Sequence, residues 1–167
     1  MHIHIDWTGP FSYDDALNLK NNQKDYGVYQ IYGTHPIYGG GVLIYIGKAD
    51  RQTFGLRLQQ EQHWQFTADA AKLEVYVGRL AGYDGTPNSD EWSSQITTAE
   101  RMLIVAHWPA GNSSGLNVIL NEEYHDTHIL NWGAHRSLLP EVSGSRYSNR
   151  YESGEGYATF EMPLDKA

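Results

Sequence analysis

The chain contains no cysteine in 167 residues. That absence excludes disulfides and thiolate metal sites, and it fits a cytoplasmic protein. No apolar run approaches the ~18 residues that a membrane helix needs, so no membrane partner is expected. The opening MHIHIDWTGP lacks the basic segment and apolar core of a secretory leader, and none is expected. Positive charge is scarce too: 12 Lys and Arg against 20 Asp and Glu give a formal net charge of −8. A surface of that sign repels phosphate backbones at long range, which argues against a nonspecific DNA binder. An enzyme with a focused, locally basic site is still allowed. The 40% hydrophobic and 19% charged fractions are those of an ordinary globular chain. Its length suits a single domain, 1–167, with one real core.

What the chain does have is a concentration of tyrosine within YGVYQIYGTHPIYGGGVLIYIGKADRQTFGLR, residues 26–57. GVYQIY (27–32) and GVLIYIG (41–47) are β-branched and aromatic runs separated by glycine and proline breakers, which predicts a hairpin with a long loop. HIHIDW (2–7) alternates as a short strand does, and DDALNLKNN (14–22) reads as a short helix. TFGLRLQQEQHWQF (53–66) reads as a helix with Phe54, Leu58 and Trp64 inward. KLEVYVGRL (72–80) is a third strand, and the polar stretch 81–95 a surface loop. TTAERMLIVAHW (97–108) is the strongest helix, stopped by Pro109 and Gly111. This order predicts an α/β fold: a central, mostly antiparallel three-stranded sheet flanked by helices, with 118–167 as a C-terminal extension.

YGVYQIYG followed by LIYIGKAD resembles the paired motif of the GIY-YIG endonucleases, with Val28 replacing the middle isoleucine of the first triplet. Tyr45-Ile46-Gly47 keeps the second triplet intact. The family's helix arginine is matched by Arg57, slightly farther from the glycine than usual. Its metal-binding glutamate is matched by Glu100, and the asparagine after that helix by Asn112, with Asn117 second. The resemblance covers 24–117, the expected catalytic core. LNWGAHRSLLPEVS and HWPAGNSSG are similar to the restriction-enzyme branch, whose members act as small homodimers. One position departs from that branch: where it often carries a histidine one turn after the arginine, this chain has Glu61. His63 lies two residues on and points ~200° further round a helix, so it is a poor substitute.

The resemblance implies a magnesium-dependent endonuclease, with manganese as a substitute ion, cutting duplex DNA in the manner of a restriction enzyme. Hydrolysis of a phosphodiester needs an activated water, neutralisation of charge on phosphorus, and help for the leaving oxygen. A carboxylate on a rigid helix suits magnesium, which keeps most of its waters; Glu100 alone meets that need. Arg57 offers a permanent, planar charge that matches phosphate oxygens. Tyrosine ionises near pH 10, so a tyrosine base needs nearby cations, and Lys48 and Arg57 are the candidates. Strand parity puts Tyr29 and Tyr45 on one sheet face. Tyr29 is assigned as base or water-positioning group and Tyr45 as orienting group, and the two roles are exchangeable.

Each residue also has a plain structural reading. Aromatic residues suit strands, and Arg57 can pair with Glu61 one helical turn away. TTAE is a capping box with Thr97 as N-cap and Glu100 as its partner, which predicts a glutamate there without any metal. Asn112 is equally a turn residue. His2 and His4 share a strand face without an evident third ligand, and Glu122, His125, Asp126 and His128 match no zinc spacing. Arg136, Arg146 and Arg150, interleaved with Tyr147 and Tyr151, are candidate DNA contacts in an extension that can also serve dimerisation. The competing functions are a non-catalytic binding module on the same scaffold, and a structure-specific, repair or toxin nuclease.

Overall fold

The computed structural model describes residues 1–61, 72–81, 88–116, 120 and 122–147. Strands β1 (His2–Phe11), β2 (Gly27–His35), β3 (Gly39–Ala49), β4 (Glu74–Ala81), β5 (His128–Gly133) and β6 (Glu141–Ser143) form one sheet in the order β3-β2-β4-β1-β5-β6. Every neighbouring pair is antiparallel except β1 with β5. The fold is therefore α/β with a six-stranded mixed sheet, which corrects the expected three strands. The β3-β2-β4 half has the antiparallel order anticipated from the hairpin. In the other half the alternation of residues 2–7 gave the strand but not its pairing: Ile3 pairs with Ile129 and Ile5 with Asn131 across most of the chain. Residues 128–143, expected in an extension, complete the sheet instead.

The two faces of the sheet bury different cores. Ile3, Ile5 and Trp7 of β1, with Val28 and Ile46, pack against α3 (Ser89–His107) through Ile96, Ala99, Met102 and Leu103. Tyr29 and Ile31 with Val75 and Val77 pack on the other face, against Tyr13 and Ala16 of α1 (Tyr13–Ala16) and Phe54 and Leu58 of α2 (Phe54–Gln60). Phe54 and Leu58 point inward as their spacing predicts; Trp64 lies outside the described residues. A short 3-10 turn (Glu122–Tyr124) and α4 (Gly144–Tyr147) flank β5 and β6.

Helix α3 starts earlier than expected. Asn88 is its N-cap, accepting hydrogen bonds from the Asp90 and Glu91 amides at 3.2 and 3.0 Å. Its first turns are polar, which made 89–95 read as loop. Trp92, Ile96, Ala99 and Leu103 nevertheless repeat at helical spacing on the face turned to the core. Thr97 is thus no N-cap, and Glu100 sits mid-helix with no capping duty.

Candidate active site

The hairpin register brings the two tyrosines together. Tyr29 lies opposite Gly47 and Ile31 opposite Tyr45, so Tyr29 and Tyr45 are diagonal neighbours on one face, with ring centroids 6.0 Å apart. Gly47 makes this possible. A Cβ there would meet Tyr29 Oη at 2.5 Å and Tyr45 Cε1 at 2.6 Å, distances no real side chain tolerates. The glycine of the second triplet is therefore the floor on which both rings rest.

Helix α2 delivers the other two members. Glu61 follows its last turn as C-cap, its amide donating to Leu58 O at 3.0 Å and its carbonyl accepting from Tyr13 Oη at 3.3 Å. The Glu61 carboxylate accepts from Tyr29 Oη at 2.7 Å, from Tyr45 Oη at 3.4 Å and from Arg57 Nη2 at 2.5 Å. The helical pairing of Arg57 with Glu61 is present, but it is one spoke of a larger arrangement. The residue that read as a departure from the restriction-type pattern is the hub. Its sequence signal was the i, i+4 spacing to Arg57; its contacts with both tyrosines depend on how α2 docks on the sheet.

Lys48 points the other way, as alternation along β3 requires. Its Nζ donates to Thr97 Oγ1 at 3.0 Å and pairs with Glu100 Oε2 at 3.4 Å, both on α3. The sequence-predicted residues therefore form two groups, Tyr29-Tyr45-Arg57 with Glu61, and Lys48-Glu100 with Thr97. The groups flank β3, an edge strand of the sheet.

Asn112 behaves as a piece of backbone. The Ala110 and Gly111 amides donate to Leu43 O and Ile44 O at 3.1 and 2.6 Å along the outer edge of β3. Asn112 then offers its side-chain amide in place of a peptide: Oδ1 accepts from Ile46 N and Nδ2 donates to Ile46 O, each at 3.0 Å. Both amide ends are engaged in holding the middle residue of the Tyr-Ile-Gly triplet. Asn112 is buried and its amide is occupied by β3; Asn117 lies outside the described residues.

The electrostatics differ from the expectation that cations would ease tyrosine ionisation. Burial, then the charge and hydrogen bond of Glu61, push the Tyr29 phenol far above the ordinary tyrosine range. Arg57 lowers it by less than these raise it. Tyr45 moves upward for the same leading causes, burial and then Glu61, and it keeps a part-exposed ring. Lys48 is engaged on the α3 side. Glu100 is also raised, by burial first; Lys48 and Arg57 only partly offset this. Arg57 is held more firmly protonated: burial opposes its charge, and Tyr29, Glu61 and Tyr45 outweigh that effect.

The remaining candidates lie elsewhere. The Arg136 guanidinium stacks over Tyr32 at 4.0 Å and Tyr76 at 5.5 Å and pairs with Glu74. It is an exposed residue engaged with rings on the sheet face opposite Tyr29. Arg146 is exposed on α4; Arg150 and Tyr151 lie outside the described residues, as does His63. Among the described residues no group of three or more His, Asp or Glu side chains is arranged to hold a metal ion. His128 pairs with Glu141 at 2.9 Å, and its ring lies 5.3 Å from that of His2. Two cavities flank α3, and neither is lined by Tyr29, Tyr45, Arg57, Glu61 or Glu100. One of about 290 Å³ is lined by Tyr26, Arg51 and Trp92, and one of about 490 Å³ by Arg51, Thr97 and Thr98. Among the described residues no helix is long and apolar enough to cross a membrane.

No protein-family model, curated protein or solved structure matches the chain. The GIY-YIG resemblance therefore rests on the quoted motifs.

Proposed function

We propose that the chain is a GIY-YIG-type, metal-dependent endonuclease that hydrolyses DNA phosphodiesters, with restriction-type cleavage of duplex DNA as its activity. One observation carries this reading: Tyr29, Tyr45 and Arg57, from three separate elements, converge on a single carboxylate on the α2 side of β3, while Lys48 of the same strand pairs with Glu100 on the α3 side. In this reading Arg57 binds the phosphate oxygens and Tyr45, the part-exposed phenol, orients the attacking water. As that water gives a proton to Tyr45 Oη, Tyr45 passes its own to Glu61 Oε1, so no free phenolate is needed. Tyr29, fully buried, holds Glu61 in place. Lys48 and Thr97 hold the α3 side.

In this reading Glu100 would hold magnesium, with manganese as a substitute. A single carboxylate raised by burial, with Lys48 at 3.4 Å as its ion-pair partner among the described residues, would gain from a divalent cation that keeps most of its own waters. Such an ion supplies Lewis-acid stabilisation of the phosphoryl oxygens. Homodimeric action in the cytoplasm completes the proposal, since a duplex presents two strands to cut.

The test is plasmid digestion with magnesium, comparing wild type with Glu100→Ala and Arg57→Ala. Discrete fragments support a restriction enzyme, a smear a nonspecific or toxin nuclease, and cleavage confined to flaps or branches a repair enzyme. An intact plasmid, with DNA and RNA panels also uncut under varied metals, removes the catalytic reading. The second reading is a non-catalytic binding module, favoured by the upward-shifted tyrosines and the presence of Glu61. It predicts binding that needs no metal and survives Glu100→Ala.

A further inference from the structure

Glu61 does more in this geometry than close a helix. Its carboxylate lies at 2.5 Å from the Arg57 guanidinium and receives both phenols, so it makes the contacts an incoming phosphate oxygen would make. Carboxylate and phosphate present similar forks of acceptor oxygens to a guanidinium. The Arg57 side chain keeps 31% of its surface open while Glu61 keeps 12%, so a ligand can reach the cation from outside. The Glu61 backbone is pinned by Leu58 O and Tyr13 Oη, so only its side chain has to yield.

We infer that Glu61 occupies the phosphate place at Arg57 as an internal anion, and that a phosphodiester enters by taking Arg57 from it. This rests on the reading of Arg57 as the phosphate-binding group. Two consequences follow physically. A small monoanion gains little from the exchange, because it replaces one charge pair by another. A polymer that makes further contacts gains more, so the internal anion selects nucleic acid over free phosphate. Once Arg57 has turned to substrate, Glu61 loses its cationic partner and becomes the better acceptor for the Tyr45 proton.

The experiment measures binding of a labelled DNA duplex in EDTA, so that cleavage does not intrude. Wild type, Glu61→Gln, Arg57→Ala and the double variant are compared, and inorganic phosphate is titrated in parallel by thermal shift. Glu61→Gln is expected to bind DNA about tenfold tighter and to be stabilised by phosphate that barely affects wild type. Both gains should vanish in the double variant. Equal or weaker binding by Glu61→Gln overturns the inference, as does a gain that persists without Arg57, since that would be general charge relief. If Glu61→Gln does not fold, Glu61→Ala replaces it; failure of both to fold makes Glu61 a structural group and overturns the inference. DNA cleavage without the Glu61→Gln gain leaves the nuclease reading standing alone. An Arg57-dependent phosphate gain in a protein that neither binds nor cuts DNA overturns both the nuclease reading and the entry of a phosphodiester at Arg57.

Discussion

The two sides of strand β3 solve opposite problems with the same kinds of residue. On the α2 side one carboxylate, Glu61, is shared by two phenols and a guanidinium, so its charge is well satisfied. On the α3 side one carboxylate, Glu100, has a single ammonium at 3.4 Å among the described residues and is raised by burial. Alternation along Tyr45-Ile46-Gly47-Lys48 assigns the phenol to one side and the ammonium to the other. The lesson is that a linear motif spanning four residues of a strand addresses two faces, and its members act together only around a sheet edge.

Activity should break this comparison most sharply. Arg57→Ala removes the cation of the α2 side and Glu100→Gln the anion of the α3 side. Each is expected to lower cleavage by roughly 100- to 1,000-fold, measured as single-turnover cutting of plasmid. If only one side matters, the two groups do not form one site.

Stability separates the scaffold from the chemistry. Asn112→Ala leaves the Ile46 amide and carbonyl without their side-chain partner, a loss of about 2–4 kcal/mol from two buried groups. Urea unfolding checks it, and near-wild-type stability would show that water takes over the edge. Tyr29→Phe removes a 2.7 Å bond to a carboxylate from a fully buried ring and should cost about 1.5–3 kcal/mol. Tyr45→Phe removes a 3.4 Å bond from a part-exposed ring and should cost less stability, yet more cleavage. The reverse ranking would exchange the two roles. Gly47→Ala presses a methyl into both rings, and about 1–3 kcal/mol of overpacking is expected.

The smallest effect is on pH dependence. The Glu100 carboxyl binds its proton more tightly folded than unfolded, because burial raises it. The folded state therefore holds the extra proton, and stability falls as pH rises through the window between the ordinary and the raised value. Glu100→Gln should raise Tm at neutral pH and flatten that part of the stability curve while still lowering cleavage. A lower Tm would mean that the pair with Lys48 outweighs the burial of the carboxylate.

Much of the site was legible because it is written locally. The two β runs, the breakers between them, the parity of Tyr29 and Tyr45, and the spacing of Arg57 with Glu61 all follow from periods of two and of nearly four residues. Periodicity also indicated the inward Phe54 and Leu58. It failed at the start of α3, where solvent-facing turns look like loop unless Trp92 and Ile96 are read together. It also failed for Asn112, whose type fits a turn and whose work is to pair with a strand 66 residues away.

By itself the sequence determined the first four strands, the cores of the main helices, the tyrosine parity and the chemistry available, since these depend on neighbours within a turn or a pleat. Only the tertiary structure decided that the sheet has six strands, that residues 128–143 belong to it, and that Lys48 serves Glu100 rather than the tyrosines. It also decided that Glu61 is the hub of the α2 side. The reason in each case is the same: sheet order, helix docking and burial are contacts between distant segments, and those contacts set which charge a buried phenol meets.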